Sequence, residues 1–412
     1  MDGTAYLGHS LRAPLAFVQD RLDGFRAIRR DLHAHPELGF EEHRTAALVA
    51  ERLQQWGIEV HTGVGRTGVV GVVRGRQDAS GRAVGLRADM DALPMQEENE
   101  FAHRSTRAGL MHACGHDGHT TMLLAAAEYL AATRNFDGSV YLIFQPGEEG
   151  FGGAKVMIDD GLFTRFPASE VYALHNWPGL PAGHIGLNPG PMMAAADRIE
   201  ITISGRGGHA AHPHLTVDPV LIAGHVITAA QSLVARNVAP IEAAVVSLCA
   251  MQTGNLGAFS VIPREAKLVG TVRAFQHSVQ ELIERRLADL VTGIAQSFGG
   301  SAEVRYERIY PATINHAPQY EHALQVAESL VGRDKVVRHM PPSMGAEDFA
   351  FMLQARPGCY ARLGQGGPEG GCWLHNSRYD FNDAVIPLGA AFLAALAERR
   401  MPPSANEKGR AT

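Results

Sequence analysis

The run SVYLIFQ, from Ser139 to Gln145, is apolar through its centre and is stopped at once by Pro146-Gly147. A short apolar run bounded by turn residues is the pattern of a strand buried on both faces, as in a parallel sheet covered by helices. Working outward, Val171 to His175 repeats the pattern downstream, and Gly68 to Arg74 and Ala83 to Arg87 repeat it upstream. Between these strands lie helical patterns. Leu15 to Asp31 is amphipathic, with Val18, Leu22, Phe25 and Ile28 or Leu32 at helical spacing. Phe40 to Trp56 has Glu41 and Glu42 in its expected first turn and Gly57 just past its end. His119 to Ala132 is apolar and Ala-rich. Strands alternating with helices predict an α/β domain with a mainly parallel sheet.

From Gly186 the texture changes. Arg198 to Ser204 alternates, Val217 to Ala235 is helical, Ala243 to Ala250 and Ala266 to Ala274 read as strands, Val279 to Phe298 is helical, and Ser301 to Glu307 alternates. That strand-helix-strand-strand-helix-strand order predicts an inserted ferredoxin-like α+β domain. The expected organisation is a catalytic domain in two parts (1–185 and 307–401, closing on a helix from Ala384 to Arg399) around an insertion at 186–306. The polar tail 402–412 is expected to lack structure.

Bulk properties narrow the classes. A chain of 412 residues exceeds one ordinary core. The composition, 45% hydrophobic and 19% charged, is that of a globular protein, and a net charge of −6 offers no basic footprint for nucleic acid or an anionic membrane. No uninterrupted apolar stretch approaches the roughly 18 residues of a membrane span. Met1 to Gln19 shows no basic region followed by a clean apolar stretch, and Cys114, Cys249, Cys359 and Cys372 are irregularly spaced rather than a disulfide framework. The expected location is the cytoplasm. Twenty histidines are the one unusual count, so their clustering matters.

The densest cluster is Met111-His112-Ala113-Cys114-Gly115-His116-Asp117-Gly118-His119. Cysteine and histidine one residue apart can meet one metal ion from a loop, and a thiolate–imidazole set suits zinc or nickel better than manganese. A helix-capping loop with a buried cysteine is the plainer alternative. Asp89 and Asp91 follow the predicted strand that ends at Arg87, where open α/β sheets place ligands. Glu148 and Glu149 follow SVYLIFQ directly; one carboxylate can bind metal while its neighbour moves a proton. His175 ends the next strand, and His375 follows the Gly-rich stretch Gly364 to Gly371. In the insertion, Gly205 to His212 closes the first strand, and its glycines let His209 or His212 approach a substrate. His33-Ala34-His35 follows a helix rather than a strand and reads as structural or as support behind the site.

Together these pieces resemble the M20 family of metallopeptidases and aminoacylases, and within it the hippurate hydrolases, N-acyl-amino-acid amidohydrolases and plant auxin-conjugate hydrolases. The matching motifs are HAHPELGFEE (33–42), LRADMDALPMQE (86–97), MHACGHDGHT (111–120), FQPGEEG (144–150), GRGGHAAHPH (205–214), VIPREAKLVGTVRAF (261–275) and SMGAEDFAFML (343–353). The resemblance implies two divalent metal ions (Mn, Zn, Ni or Co) on Cys114, His116, Glu149, His175 and His375, with Glu148 as general base. Asp91 matches the aspartate that orients a ligand; where this chain has Asp89, the wider family has a metal-binding histidine. His209 matches a histidine that reaches the substrate, commonly in the partner subunit's site, and Arg273 matches a candidate for the substrate carboxylate. Ser260 stands where relatives usually carry an asparagine that helps hold substrate. The implied activity is hydrolysis of small N-acyl amino acids by a homodimer or a dimer-based oligomer. A dipeptidase or aminobenzoyl-glutamate hydrolase on the same scaffold, or a metal-retaining binding protein, is the alternative.

Overall fold

The alternating runs assemble into one large sheet with helices packed against it. The computed structural model describes residues 12–366 and 372–403; the tail from 404 and part of the Gly-rich stretch lie outside the described residues. The chain divides into two units: Met1–Met192 with Ile314–Pro341 and Asp348–Thr412, and Met193–Thr313 with Pro342–Glu347.

The first unit begins with α1 (Ala13–Gln19), α2 (Leu22–Ala34), α3 (His43–Gln55), β1 (Glu59–Val64), β2 (Gly68–Arg74) and β3 (Ala83–Asp89). It continues with α4 (His116–Thr133), β4 (Ser139–Gln145), α5 (Gly153–Asp159), α6 (Leu162–Arg165), β5 (Glu170–Pro178) and β6 (Ile185–Gly186). The second unit supplies β7 (Ala195–Ser204), α7 (Pro219–Ser232), β8 (Ala244–Thr253), β9 (Glu265–Ala274), α8 (His277–Ser297) and β10 (Ser301–Tyr310). The first resumes with α9 (Ala317–Val331), β11 (Val336–Val337), α10 (Phe349–Ala355), β12 (Gly358–Gly366) and α11 (Ile386–Arg400).

The eight-stranded sheet runs β1-β2-β4-β3-β5-β12-β6-β11. Its four central strands β4, β3, β5 and β12 are mutually parallel, while β1, β2 and β6 add antiparallel pairs toward the edges. β4 is the SVYLIFQ run, and every residue in it is buried. Parallel strands bring their carboxyl ends to one rim of the sheet, and the loops leaving that rim carry the polar motifs.

Several boundaries differ from the periodic reading, the insertion among them (Met193–Thr313 with Pro342–Glu347 against 186–306), and three helix boundaries bear on the site. The helix expected over Leu15 to Asp31 breaks at Asp20-Arg21, because α1 packs chiefly on α11 whereas α2 packs along α4, and one straight rod cannot follow both. The Arg21 guanidinium lies 3.8 Å over the Phe17 ring and donates to the Phe17 carbonyl at 3.0 Å. The helix expected from Phe40 starts at His43, since Phe40 sits at φ 66°. Glu42 turns inward there and accepts from Thr67 Oγ1 (2.5 Å) and the Gly147 amide (2.8 Å). Finally, α4 starts at His116, three residues before the expected His119, so much of the histidine cluster is helical.

The second unit is a four-stranded antiparallel sheet in the order β8-β9-β7-β10, the ferredoxin-like arrangement. Ile199, Ile201 and Ile203 of β7 point to one side and pack with Ile222 and Val226 of α7 and Ile283, Leu287 and Val291 of α8. The helix Pro219–Asn237 has the length and apolar content of a membrane crossing, but its Ile222, Ala223, Val226 and Leu233 are buried in this core.

Candidate functional site

At the rim of the central strands, four segments meet. Cys114 and His116 flank Gly115, which at φ 99° turns the chain into α4. Glu148 and Glu149 leave β4, and His175 lies in β5. His375 adopts φ 61°, which is costly for a residue with a Cβ; its amide donates to the Ala113 carbonyl at 2.7 Å, tying it to the cysteine loop.

The expected donors converge. Cys114 Sγ is 3.5 Å from His175 Nε2, and Glu149 Oε1 is 3.2 Å from His375 Nε2 and 4.0 Å from His116 Nε2. Cys114, His116 and His175 bring one donor each within 4.8 Å of one another, as do Cys114, Glu149 and His375, and His116, Glu148 and Glu149. Among the described residues, His116 Nε2 is buried without a hydrogen-bond partner, and Glu149 Oε1, although near His375, is likewise buried and lacks a properly angled hydrogen bond. Buried polar atoms are normally satisfied, and a cation is what two such donors facing a common space with a thiol would accept. The donor set therefore fits divalent metal.

Electrostatics agree. Burial, then the nearby Glu149 carboxylate, push the Cys114 thiol up, so its thiolate needs a cation beside it. Burial holds His175 well below the usual histidine range, leaving a neutral ring able to ligate, with His119 adding to the effect. Burial pulls His116 down too, but Asp89, Cys114 and Asp91 outweigh it and the net direction is up.

Asp91 lies behind the donors, on the Nδ1 side of His116, whereas Asp89 Oδ2 stands 3.7 Å from His116 Nε2 and forms, with His116 and His119, a further group able to hold a metal ion. Asp91 accepts from Glu149 N (2.9 Å) with one oxygen and meets His116 Nδ1 (3.2 Å) with the other, which orients both candidate donors. Asp89 pairs with Arg87 (2.7 Å) and His119 Nδ1 (2.6 Å). His33 is buried between Asp117 (2.8 Å) and Glu97 (3.2 Å), the supporting place read for it. Burial opposes its charge, yet these carboxylates hold it up at about 9.

Sequence reasoning assigned no role to His119, Asn176 or Tyr379. His119 Nε2 meets Asn176 Oδ1 at 2.6 Å, and Asn176 Nδ2 donates to Tyr379 Oη at 2.6 Å, backing the Cys114–His116 turn. His119 stood in the quoted cluster; nothing local marked Asn176 or Tyr379.

In the second unit, Gly208-His209 pairs with Val261-Ile262, and the Ala210 amide donates to the Ser260 carbonyl at 2.9 Å. His209 is exposed, and its Nδ1 accepts from the Ala211 amide at 3.1 Å, leaving Nε2 to carry the ring proton of a neutral imidazole. Arg273, half-buried on β9, donates Nε–H to Thr271 Oγ1 at 3.2 Å and has no ion pair among the described residues. Burial lowers its pKa, against Asp197.

Residues 85–399 match the profile of peptidase family M20/M25/M40. The chain belongs to this family. A hippurate hydrolase from Campylobacter jejuni is 42% identical over 380 residues, covering 92% of this chain and 97% of that one. An N-acetylcysteine deacetylase from Bacillus subtilis is 36% identical over 372 residues, 90% of this chain and 95% of that one. Among solved structures, a dinuclear metal-binding M20 peptidase from Bacillus subtilis superposes with TM-score 0.81 at 32% identity, covering 93% and 99% of the two chains. This M20 member is a metal-dependent amidohydrolase.

Proposed function

We propose that this enzyme hydrolyses the amide bond of N-acyl amino acids of the hippurate type, releasing a carboxylic acid and a free amino acid. The observation that carries the reading is the convergence of Cys114, His116, Glu149, His175 and His375 with Glu148 beside them. Two divalent cations on these five residues would supply a water of lowered pKa and polarise the scissile carbonyl. The thiolate and imidazoles favour zinc or nickel over manganese.

Glu148, buried at the rim, takes the water's proton and passes it to the departing amine. His209 Nε2–H is the donor for the developing oxyanion, and Arg273 is the cation for the substrate carboxylate. Asp91 keeps His116 and Glu149 oriented. Small N-acyl substrates need neither nucleic acid nor membrane, and we assign the protein to a homodimer in which His209 serves the neighbouring subunit. The four free cysteines support a cytoplasmic location.

The test is a hydrolysis screen over N-acetyl, N-benzoyl and indole-acetyl amino acids with Mn, Zn, Ni or Co added, alongside Glu148→Gln. Glu148→Gln is expected to keep its metal and lose about 10²- to 10⁴-fold in kcat, the scale for a general base. Turnover of dipeptides or aminobenzoyl-glutamate instead would redirect the substrate assignment; a fully active Glu148→Gln would remove the base.

A further inference from the structure

Arg87 lies on β3 with 2% of its surface exposed, and its guanidinium reaches Gln145, Asp89 and Asp348. Nε donates to Gln145 Oε1 at 2.8 Å, Nη1 to Asp89 Oδ2 at 2.7 Å and Nη2 to Asp348 Oδ1 at 3.0 Å. Gln145 Nε2 in turn donates to both Asp348 oxygens (2.8 and 3.0 Å), and the Ala154 amide donates to Asp348 Oδ2 at 2.8 Å. Asp348, fully buried just before α10, directs its own main-chain amide to Glu148 Oε1 at 3.3 Å.

Stability does not account for this arrangement. Burying a guanidinium and two carboxylates costs several kcal/mol per ion, and well-packed apolar residues of similar volume often serve as well or better. What the cluster does provide is position. Gln145 and Ala154 bracket the loop that carries Glu148, so one carboxylate grips the loop before and after the glutamate. The same residue's amide then fixes the glutamate's head. The third arm of Arg87 reaches Asp89, which holds His119 and stands 3.7 Å from His116 Nε2. One planar fork thus sets the loop of Glu148 and the carboxylate beside His116 from a single point on the sheet.

We propose that Arg87 and Asp348 are positioning residues for the general base, acting on Glu148 through the Asp348 amide and the Gln145 side chain. The inference rests on the reading of Glu148 as the base. Neither side chain touches the reacting atoms; their effect is on how well Glu148 is aimed, and misplacement by about 1 Å can cost about 10²-fold in rate.

The test uses the full-length, metal-loaded chain and N-benzoylglycine as substrate. Arg87→Lys keeps the charge but loses the fork; Asp348→Asn keeps the shape and weakens the grip. Each is expected to fold with native metal content, keep KM within about two-fold and lose about 10- to 100-fold in kcat. In the Glu148→Gln background, Arg87→Lys is expected to change the residual rate by less than about two-fold, because the group it aims is gone. Four outcomes overturn the proposal: kcat unchanged in both single variants, a kcat loss restored by excess metal, a further loss of the full size in the Glu148→Gln background, or loss of fold in both variants, which would make the cluster structural. A fully active Glu148→Gln would sink the base assignment with it, whereas an inactive Glu148→Gln beside unaffected Arg87→Lys and Asp348→Asn sinks the positioning role alone.

Discussion

Replacing Gly115 by alanine perturbs the turn between two candidate ligands without touching either. Gly115 sits at φ 99°, and a Cβ built there meets Asn176 Oδ1 at 2.4 Å and Tyr379 Oη at 2.7 Å. Both oxygens are anchored, Asn176 by His119 and Tyr379 by Gln365, so neither can swing away as a flexible side-chain end would. The left-handed backbone costs an L-residue about 1–2 kcal/mol, and overpacking a tight interior adds about 1–3, for a total of about 2–5 kcal/mol. Any relief must come from movement of the turn, which displaces Cys114 or His116. Gly115→Ala should therefore lower the denaturation midpoint of the metal-free protein, and it should lower metal content by elemental analysis after equilibration with limiting zinc. A variant with native midpoint and native metal affinity would refute the idea that a rigid, close-packed glycine turn sets the ligands.

Other consequences follow from the same geometry. Cys114→Ala should reduce metal occupancy, and chelator treatment of the wild type should expose one more alkylatable thiol; equal labelling of Cys114 with and without metal would remove it from the donor set. His209→Ala should keep its metal and lose about 10²- to 10³-fold in kcat. Mixing it with Glu148→Gln should restore partial activity if His209 serves the neighbouring subunit, and no recovery in verified mixed dimers would return His209 to its own site. His33, raised from 6.5 to about 9 by Asp117 and Glu97 against burial, should contribute about 3 kcal/mol of stability. Because its folded pKa is the higher one, that contribution is complete below pH 6.5 and lost as pH rises through about 9. The gap in denaturation midpoint between wild type and His33→Asn should close over that window, and a gap independent of pH would contradict the charged His33.

Much of the fold was legible because burial leaves a local trace. A strand covered on both faces must be apolar throughout, so Ser139–Gln145 and Gly68–Arg74 were readable to the residue. The six principal elements of the second unit showed their order through alternating and helical periods. The candidate donors were legible as well, since Cys114, His116, Glu148 and Glu149 sit close together in sequence at the ends of such runs. What the sequence could not show is which distant side chains complete them. Glu42 reads as a helix-start acid, yet it binds Gly147, because only the folded chain brings α3 against the loop after β4. Asp348 stands in the quoted motif SMGAEDFAFML with nothing local to name its partner; it is fully buried against Arg87, 261 positions earlier. The split between α1 and α2 likewise depends on α11, at the far end of the chain. Periodicity reports whether a residue is covered, and the partner that covers it is set by packing among segments hundreds of residues apart. The sequence alone thus determined four strands of the central sheet (β2, β3, β4 and β5), the two-domain plan and the candidate donor types, while the tertiary structure decided the remaining strands of that sheet, β1 and β12 among them, and which groups hold those donors in place.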